Sequence, residues 1–212
     1  SQMKEFKNPV LVIANGEFPY HTSTLNYLKE KRTIICVDGA ADKLESFGKK
    51  PDVVMGDFDS TKIEKIERTN LWIERPNQNK TDLEKTFEWC VQKKIKKIIL
   101  LGAGGEREDH LLGNLFIVSK FYNDLNIKVI TNYSKIICVS GSKRIKTQPN
   151  QNISIIASEV VKNIKIIGLK YSLVNKQLYP SAMAISNKAL SSQFHIESTG
   201  KVFVFLNHMK IK

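Results

Sequence analysis

The sequence predicts an α/β N-terminal domain with a mostly parallel sheet and flanking helices, followed by a C-terminal all-β sandwich domain. Continuous apolar runs alternate with helical patterns up to about residue 132. After that point, short β-like runs follow one another without helical spacing. Because no Pro-rich or Ser-rich linker separates the two patterns, we expect domains over residues 1–135 and 136–212 with a fixed interface.

The strands of the first domain are predicted from apolar runs that lack polar alternation. Such runs are typical of parallel strands buried on both faces of a sheet. They are VLVIA (10–14), TIICV (33–37), DVVM (52–55), LWIE (71–74), KIILL (97–101) and IKVIT (127–131). The clearest helical spacing lies between two of these runs, at residues 82–95. Its apolar stripe consists of Leu83, Phe87, Cys90, Val91 and Ile95.

Capping boxes mark the beginning of two predicted helices. Thr81 is followed by Glu84, and Thr61 is followed by Glu64. Residues 109–122 are apolar nearly all round, which predicts a buried helix. Because Gly113 lowers the helix propensity of that segment, we expect a close packing contact at this glycine.

The second domain is predicted from short β-like runs separated by turns. The runs are KIICVS, NISIIAS, VVKNIKIIG, AMAIS, SQFHIES and KVFVFLN. Turn residues stand between them at 140–142, 149–150 and 198–200. Short strands with repeated turn signals favour a sandwich.

The net charge of +12 has two interpretations. Such a charge is the footprint of a protein that binds nucleic acid or polyphosphate, and it is equally the charge of a Lys-rich solvated surface. Aromatic residues do not interleave with basic runs such as QKKIKKI (92–98), which argues against stacking on single-stranded nucleic acid. We therefore favour the solvated surface and expect no nucleic-acid partner.

The cysteines indicate the compartment. Cys36, Cys90 and Cys138 are odd in number, far apart and embedded in apolar stretches, so we expect neither a disulfide framework nor a Cys-based zinc site. Buried thiols are typical of a reducing compartment, which predicts a cytoplasmic protein. The sequence contains no apolar run of about 18 residues, so we expect no membrane partner.

Carboxylates follow the predicted strands or open the helices after them. They are Asp38, Asp57, Asp59, Asp82 and Asp109. In a parallel sheet these positions share the edge where strands end and where open α/β sheets bind ligands. Like charges at one edge need a counter-cation, and carboxylate oxygens suit Mg²⁺. Each aspartate also has a structural interpretation, because Asp82 favours a helix dipole, Asp59 suits a cap and Asp38 precedes a turn glycine.

Glycine-rich turns follow three of the predicted strands. They are Asn15-Gly16, Asp38-Gly39-Ala40-Ala41 and Gly102-Ala103-Gly104-Gly105. Such turns bring backbone N–H groups close to phosphates. Neither a GxxxxGK[ST] loop nor a GxGxxG fingerprint after the first strand is present, so a nucleotide would be bound by another arrangement.

Several motifs together resemble the thiamine pyrophosphokinase family. They are DGAAD (38–42), DVVMGDFDS (52–60), KTDLEK (80–85) and the segment from Gly102 to Asn114, in this order and spacing. Further on, GLKYSL (168–173) with Ser186 and Asn187 looks like the C-terminal domain of that family. The similarity thus covers nearly the whole chain.

The resemblance implies a homodimer that transfers a pyrophosphoryl group from ATP to the hydroxyl of thiamine, giving thiamine diphosphate and AMP. By analogy the catalytic carboxylates are Asp38, Asp57, Asp59 and Asp82, of which Asp57, Asp59 and Asp82 would bind Mg²⁺. Ser186 and Asn187 would contact thiamine. The residues expected at ATP are Asn15, Gly16, Gly39, Ala40, Lys80, Thr81, Lys85, Gly104, Arg107, Asp109 and His110.

Two positions depart from the family pattern. Asn77 stands where an aspartate is often found before KTD, and Glu106 stands where a glycine is expected. Two other functions stay open from the residues alone. One is a Mg-dependent phosphoryl or nucleotidyl transferase with another acceptor, and the other is a basic nucleic-acid-binding module, which leaves the acidic edge unexplained. The general base is equally open among the four catalytic aspartates, and His110 is either a packed or capping histidine or a weaker candidate.

Overall fold

A computed structural model of the chain describes residues 6–56, 71–73 and 79–209. The chain divides into two compact units, Ser1–Asn132 and Tyr133–Lys212, a boundary close to the division expected at residues 135 and 136. Within the described ranges, no helix combines the length and the apolar character that a membrane crossing requires.

The first unit contains a parallel arrangement of strands. These strands are β1 (Val10–Ile13), β2 (Ile34–Val37), β3 (Val53–Met55), β4 (Leu71–Ile73), β5 (Lys97–Leu101) and β6 (Asn126–Ile130). They pair in parallel in the order β6-β5-β1-β2-β3-β4. Every residue of β1 and β2 is buried, which explains their continuous apolar sequences.

Helices connect these strands. In the described residues they are α1 (Thr22–Lys29), α2 (Ala40–Ser46), α3 (Asp82–Gln92) and α4 (Glu108–Lys120). The hydroxyl of Thr81 accepts a hydrogen bond from the backbone N–H of Glu84 at 3.2 Å, so the predicted N-cap of α3 is confirmed. The carboxylate of Glu84 pairs with Lys120 on α4. The other predicted capping box, Thr61 with Glu64, lies outside the described residues.

The second unit is antiparallel. Its strands are β7 (Ser134–Lys146), β8 (Asn152–Ala157), β9 (Val161–Ile167), β10 (Leu173–Leu178), β11 (Asn187–Lys188) and β12 (Gln193–Asn207). The long strand β12 pairs with β7 in both of its halves, with β9 in its first half and with β8 in its second. A register shift between Ser198 and Val202 separates the halves. Buried side chains from both halves, such as Ile196 and Val204, belong to one core.

The mostly parallel sheet was expected for the first domain, and the strand pairs described above for the first unit are parallel, whereas over the whole chain the strand pairs are mixed. The three cysteines remain thiols. Cys36 and Cys90 are buried as expected, and Cys138 is half-buried. Burial raises the pKa of the Cys90 thiol to about 12, so this side chain stays protonated at neutral pH and behaves as a small apolar residue.

The predicted apolar stripe of α3 is partly wrong. Leu83, Phe87 and Cys90 are buried on one face, but Val91 is exposed. The helix ends at Gln92, and Lys94 adopts a left-handed backbone with φ of 59°. Ile95 is buried, yet it lies beyond the helix, where its N–H donates to the carbonyl of Cys90. An apolar residue one position after Cys90 is rotated about 100° away from the buried face, which exposes Val91.

The expectation that α4 is buried all round is also wrong. Leu115 and Val118 pack inward, whereas Leu112 and Phe116 are 58% and 51% exposed. The close contact expected at Gly113 is absent, because outside its own helix the described residues place no heavy atom within 4 Å of its Cβ position. A helix packed on one side of a sheet buries one face, so the apolar residues on its other face require another explanation.

Replacing this open glycine should strengthen α4. We expect Gly113→Ala to raise the free energy of unfolding by about 0.5–1 kcal/mol, because alanine loses less backbone entropy in a helix. Urea unfolding followed by circular dichroism measures the change. A matched control is Gly102→Ala, which should destabilise, because Gly102 has φ of +69° and an added Cβ would lie 2.3 Å from the carbonyl oxygen of Ala14. A loss of stability in Gly113→Ala would contradict the open environment.

Candidate active site

A cleft of about 600 Å³ opens in the first unit at the carboxyl ends of its parallel strands. The strand order reverses here, because β2, β3 and β4 extend from one side of β1 while β5 and β6 extend from the other. Ligands of open α/β sheets bind at such a point. The lining residues are Ala14, Asn15, Gly16, Val37, Asp38, Lys80, Thr81, Asp82, Leu83, Lys85, Gly102, Ala103, Gly104, Glu106, Arg107, Asp109, His110, Gly113 and Asn114.

Most residues expected at ATP or at the phosphates line this cleft. Those in the lining are Asn15, Gly16, Asp38, Lys80, Thr81, Asp82, Lys85, Gly104, Arg107, Asp109 and His110. Gly39 and Ala40 follow Asp38 but are buried at the beginning of α2 and do not belong to the lining. Asp57, Asp59 and Asn77 lie outside the described residues.

The turns after β1 and β5 pack backbone against backbone at the floor of the cleft. The N–H of Gly16 donates to the carbonyl of Gly102 at 2.8 Å, and the N–H of Glu17 donates to that of Gly104 at 2.8 Å. A Cβ at Gly16 would lie 2.3 Å from the carbonyl oxygen of Gly102, so no side chain fits there. The Asn-Gly and Gly-rich sequences are therefore required by this contact.

Asp38 holds an unusual position at the end of β2. Its backbone is left-handed, with φ of 51°, a conformation that costs a non-glycine residue about 1 kcal/mol. Its N–H donates to the carbonyl of Met55 at 2.7 Å, which fixes it beside the end of β3. Its Oδ1 atom is buried, and the described residues offer it no hydrogen-bond donor. A buried carboxylate oxygen of this kind needs a cation or a donor from elsewhere.

Gly56 immediately precedes Asp57 in the sequence and lies next to Asp38. Its φ is +144°, and its Cβ position lies 3.3 Å from the Cα of Asp38. The backbone N–H of Gly56 donates to the carbonyl of Ile73 at 3.2 Å. Gly56, the residue before Asp57, therefore packs against Asp38, at the sheet edge where the sequence predicts the cluster of carboxylates.

The first turn of α3 contributes charges of both signs. Asp82 Oδ1 lies 3.6 Å from the Nζ atom of Lys85, whose side chain is largely buried. Lys80, just before the helix, pairs with Glu88. Lys80 and Lys85, both expected at ATP from the sequence, are thus each paired with a carboxylate of α3.

Arg107 and Asp109 form a two-pronged ion pair at the beginning of α4. Nε of Arg107 donates to Oδ1 of Asp109 at 3.0 Å, and Nη2 donates to Oδ2 at 2.6 Å. The hydrogen bonds from Arg107 lower the pKa of Asp109, and the same bonds raise the pKa of Arg107. Both side chains are more than 60% exposed, so the pair contributes little to stability and Arg107 can exchange Asp109 for an anionic ligand at small cost.

Two of the cleft residues on α4 are His110, whose exposure differs from the expected packing, and Asn114, which the sequence did not single out. His110 is exposed and lines the cleft, so it is not a packed histidine. Asn114 was not singled out by the sequence, yet its Nδ2 donates to the carbonyl of Ala103 at 2.8 Å and ties the helix to the turn after β5. Asn114 is the last residue of the Gly102–Asn114 segment that resembles the family. Its place in that segment was the sequence signal that could have identified it.

The residues expected at thiamine lie in the second unit. Ser186 is exposed, with φ of 60°, and its N–H donates to the hydroxyl of Ser154 at 3.0 Å. Asn187 is buried, and its side chain bonds both backbone groups of Tyr171, accepting at 3.0 Å and donating at 2.8 Å. Its Oδ1 also accepts from the N–H of Lys188 at 2.9 Å. The amide of Asn187 therefore fastens the segment before β10 to β11.

In the part of the chain that the structure describes, His, Cys, Asp and Glu side chains form no group of three or more that could hold a metal ion. Two of the three aspartates expected to bind Mg²⁺, Asp57 and Asp59, are not among those residues. Among the described residues, the buried Oδ1 of Asp38 is a carboxylate oxygen without a hydrogen-bond donor.

Comparisons with known proteins agree with one another. A family model described as thiamin pyrophosphokinase, catalytic domain, matches residues 24–131. Thiamine pyrophosphokinase of Bacillus subtilis is 28% identical over 192 residues, covering 86% of this chain and 90% of that protein. Thiamin pyrophosphokinase 1 of Caenorhabditis elegans is 24% identical over 186 residues, covering 79% of this chain and 76% of that protein.

Solved structures show the same similarity. The crystal structure of thiamine pyrophosphokinase from Bacillus subtilis has a TM-score of 0.80 at 26% identity, covering 95% of this chain and 100% of that one. Thiamin pyrophosphokinase from Candida albicans has a TM-score of 0.80 at 16% identity, covering 94% of this chain and 89% of that one. The two chains therefore share the fold.

The hydrogen bonds of Asn187 predict a structural effect of its removal. We expect Asn187→Ala to lower the free energy of unfolding by about 1–3 kcal/mol, because it removes the buried amide that bonds the backbone N–H and carbonyl of Tyr171. Thermal unfolding measures the loss, and the exposed Asn163→Ala serves as the control, with a shift near zero. An Asn187→Ala variant with unchanged stability would show that these bonds do not hold the segment.

Proposed function

The chain belongs to the thiamin pyrophosphokinase family, and we propose that its cleft carries out the transfer of a pyrophosphoryl group from ATP to the hydroxyl of thiamine. The observation that supports this site is the meeting of acidic and basic side chains with two glycine-rich turns in one cleft at the strand reversal. Phosphoryl-transfer sites need this combination, because catalysis rests on positioning and on neutralising charge.

The reaction defines what the residues have to do. The hydroxyl oxygen of thiamine attacks the β-phosphorus of ATP, the bond from that phosphorus to the oxygen of the α-phosphate breaks, and AMP leaves with that oxygen. The hydroxyl proton goes to a carboxylate or to water. Charge on the phosphate oxygens is met by Lys80, Lys85 and Arg107, which line the cleft. Arg107 reaches the phosphates by leaving Asp109, and the acidic edge also suits the cationic ring of thiamine.

Asp57, Asp59 and Asp82 would hold Mg²⁺ in this proposal. The fit is supported by the buried Oδ1 of Asp38, which has no donor among the described residues, and by Gly56, which brings the chain before Asp57 against Asp38. Hard oxygen ligands suit Mg²⁺, and a few carboxylates together with substrate phosphates are its usual set. When bound, the ion would offset the negative charge of the triphosphate.

The second unit would supply the thiamine contacts. Ser186 is exposed and available to a ligand, whereas Asn187 would act through the turn that it holds with Tyr171. We further infer that the two halves of this unit, which share one core across β7 and β12, form the predicted sandwich.

The thiols of Cys36, Cys90 and Cys138 favour a reducing compartment, and we place the protein in the cytoplasm.

A test of the function follows from the aspartates. We expect Asp57→Asn and Asp59→Asn each to lose at least about 100-fold in turnover while keeping a cooperative thermal transition, since each removes one charge that holds the metal–triphosphate complex. AMP formation from ATP and thiamine, measured by a coupled assay, gives the rate. Chelation of divalent ions with EDTA should abolish it, and excess Mg²⁺ should restore it. The exposed Asp124→Asn is the control and should retain the wild-type rate.

Other outcomes of this assay would contradict the proposal. ADP in place of AMP would exclude pyrophosphoryl transfer, and near-normal AMP formation in both aspartate variants would remove the metal assignment. AMP release with a pterin or sugar acceptor, and none with thiamine, would favour a transferase with another acceptor.

The exposed apolar side chains support a homodimer. Besides Leu112 and Phe116 on α4, the second unit exposes Tyr171, Val174, Tyr179, Met183 and Leu190. Leu112 and Phe116 lie four residues apart on one face of α4, and neighbouring exposed apolar side chains of this kind mark a surface that another molecule covers. We expect sedimentation equilibrium to give twice the 24.1 kDa mass of the chain. The double variant Leu112→Glu and Phe116→Glu should shift that mass toward the monomer. The measurement is made at about tens of micromolar protein, roughly 10–20 times the concentration in the activity assay. A wild-type protein that is monomeric under these conditions would refute the dimer.

A further inference from the structure

Lys43 links three segments that are distant in the sequence. This lysine lies on α2, and its Nζ atom donates to the carbonyl of Gly16 at 2.7 Å and to that of Asn15 at 3.3 Å. The same atom lies 3.1 Å from Oε1 of Glu106, in the turn between β5 and α4. One ammonium group thus joins the turn after β1 to the turn after β5, which are the two glycine-rich turns of the cleft.

The contacts of Lys43 differ from those of an ordinary surface ion pair. Its side chain is 31% exposed, and two of its three partners are backbone carbonyls. Those carbonyls belong to a turn that already bonds the other turn through Gly16 and Gly102. Lys43 does not belong to the lining of the cleft, whereas its three partners, Asn15, Gly16 and Glu106, do.

Glu106 explains why a cation is needed there. Its side chain is 54% exposed and lines the cleft beside Arg107 and Asp109. In the proposed function this cleft receives a triphosphate, and a carboxylate at its wall repels that ligand unless a neighbouring cation compensates it. Among the described residues, Lys43 is the cation that forms an ion pair with Glu106.

We propose that Lys43 is a positioning residue for ATP: its ammonium group, held by the carbonyls of Asn15 and Gly16, neutralises Glu106 at the wall of the cleft and so allows the triphosphate to bind there. The inference rests on the proposed function and deepens it, because it assigns the electrostatic balance of the cleft wall to a residue outside the cleft. Because Lys43 does not line the cleft, we expect its effect on ATP binding and not on the chemical step.

The test separates binding from turnover. We expect Lys43→Met, which keeps the aliphatic stem and removes the charge, to raise KM for ATP about tenfold and to change kcat less than twofold. Adding Glu106→Gln to Lys43→Met should bring KM for ATP back to within about threefold of wild type, because the unpaired carboxylate is then gone. Lys43→Arg should stay within about threefold, since it keeps the charge. The exposed Lys50→Met is the matched control and should leave both parameters unchanged.

Glu106→Gln alone keeps the inference testable if Lys43→Met does not fold. With the carboxylate removed and Lys43 retained, KM for ATP should fall about twofold, and calorimetric titration with ATP in the absence of thiamine should show the same change in Kd. An increase of threefold or more in either constant overturns the proposal. An unchanged KM in Lys43→Met overturns it, and so does a double variant that stays as impaired as Lys43→Met. A wild-type protein that forms no AMP from ATP and thiamine would instead refute the proposed function. Failure of the inference, which shows in the KM and Kd of the variants, is therefore distinguishable from failure of the proposed function.

Discussion

β1 pairs in parallel with β2 on one side and with β5 on the other, and the geometry of the cleft depends on this pairing. Parallel register aligns Ile13 with Cys36 and with Leu101, so three strands end within one residue of the same level and their turns leave the sheet side by side. The turns after β1 and β5 then contact through backbone atoms, which only glycine allows at positions 16 and 102. Residues far apart in the chain line one cleft because of this register.

The charges of the molecule are distributed unevenly between its units. Residues 133–212 contain 12 Lys and Arg residues and two acidic residues, Glu159 and Glu197, so the second unit carries most of the net +12. In the cleft of the first unit, by contrast, Lys80, Lys85 and Arg107 each have a carboxylate partner. A triphosphate entering this cleft does not meet an excess of positive charge. In the proposed function, binding it would require exchange of existing pairs and an added cation, which supports a metal-dependent site over a polyanion surface.

Local signals explain what the sequence could predict. The continuous apolar runs located the strands of the first unit to within one residue at most ends, and the Thr81 cap located the beginning of α3. A parallel sheet then brings strand ends to one edge by geometry alone, so Asp38, Asp82 and Asp109 could be grouped from the order of elements. No such rule covers the second unit, where β12 pairs with β7, β9 and β8 and the pattern of turns leaves that pairing open.

What sequence reasoning missed depends on contacts between distant segments. Lys43 reads as one of many lysines on a helix surface, and only folding brings it to the carbonyl of Gly16 and to Glu106. The all-round apolar character of α4 could not reveal whether its outer face is covered by the same chain, because burial by a second molecule selects the same residues. Glu106 illustrates the general difficulty: read alone it is a departure from a glycine pattern, yet its consequence is set by a partner 63 residues away, whose charge decides whether the carboxylate obstructs the cleft or forms part of its wall.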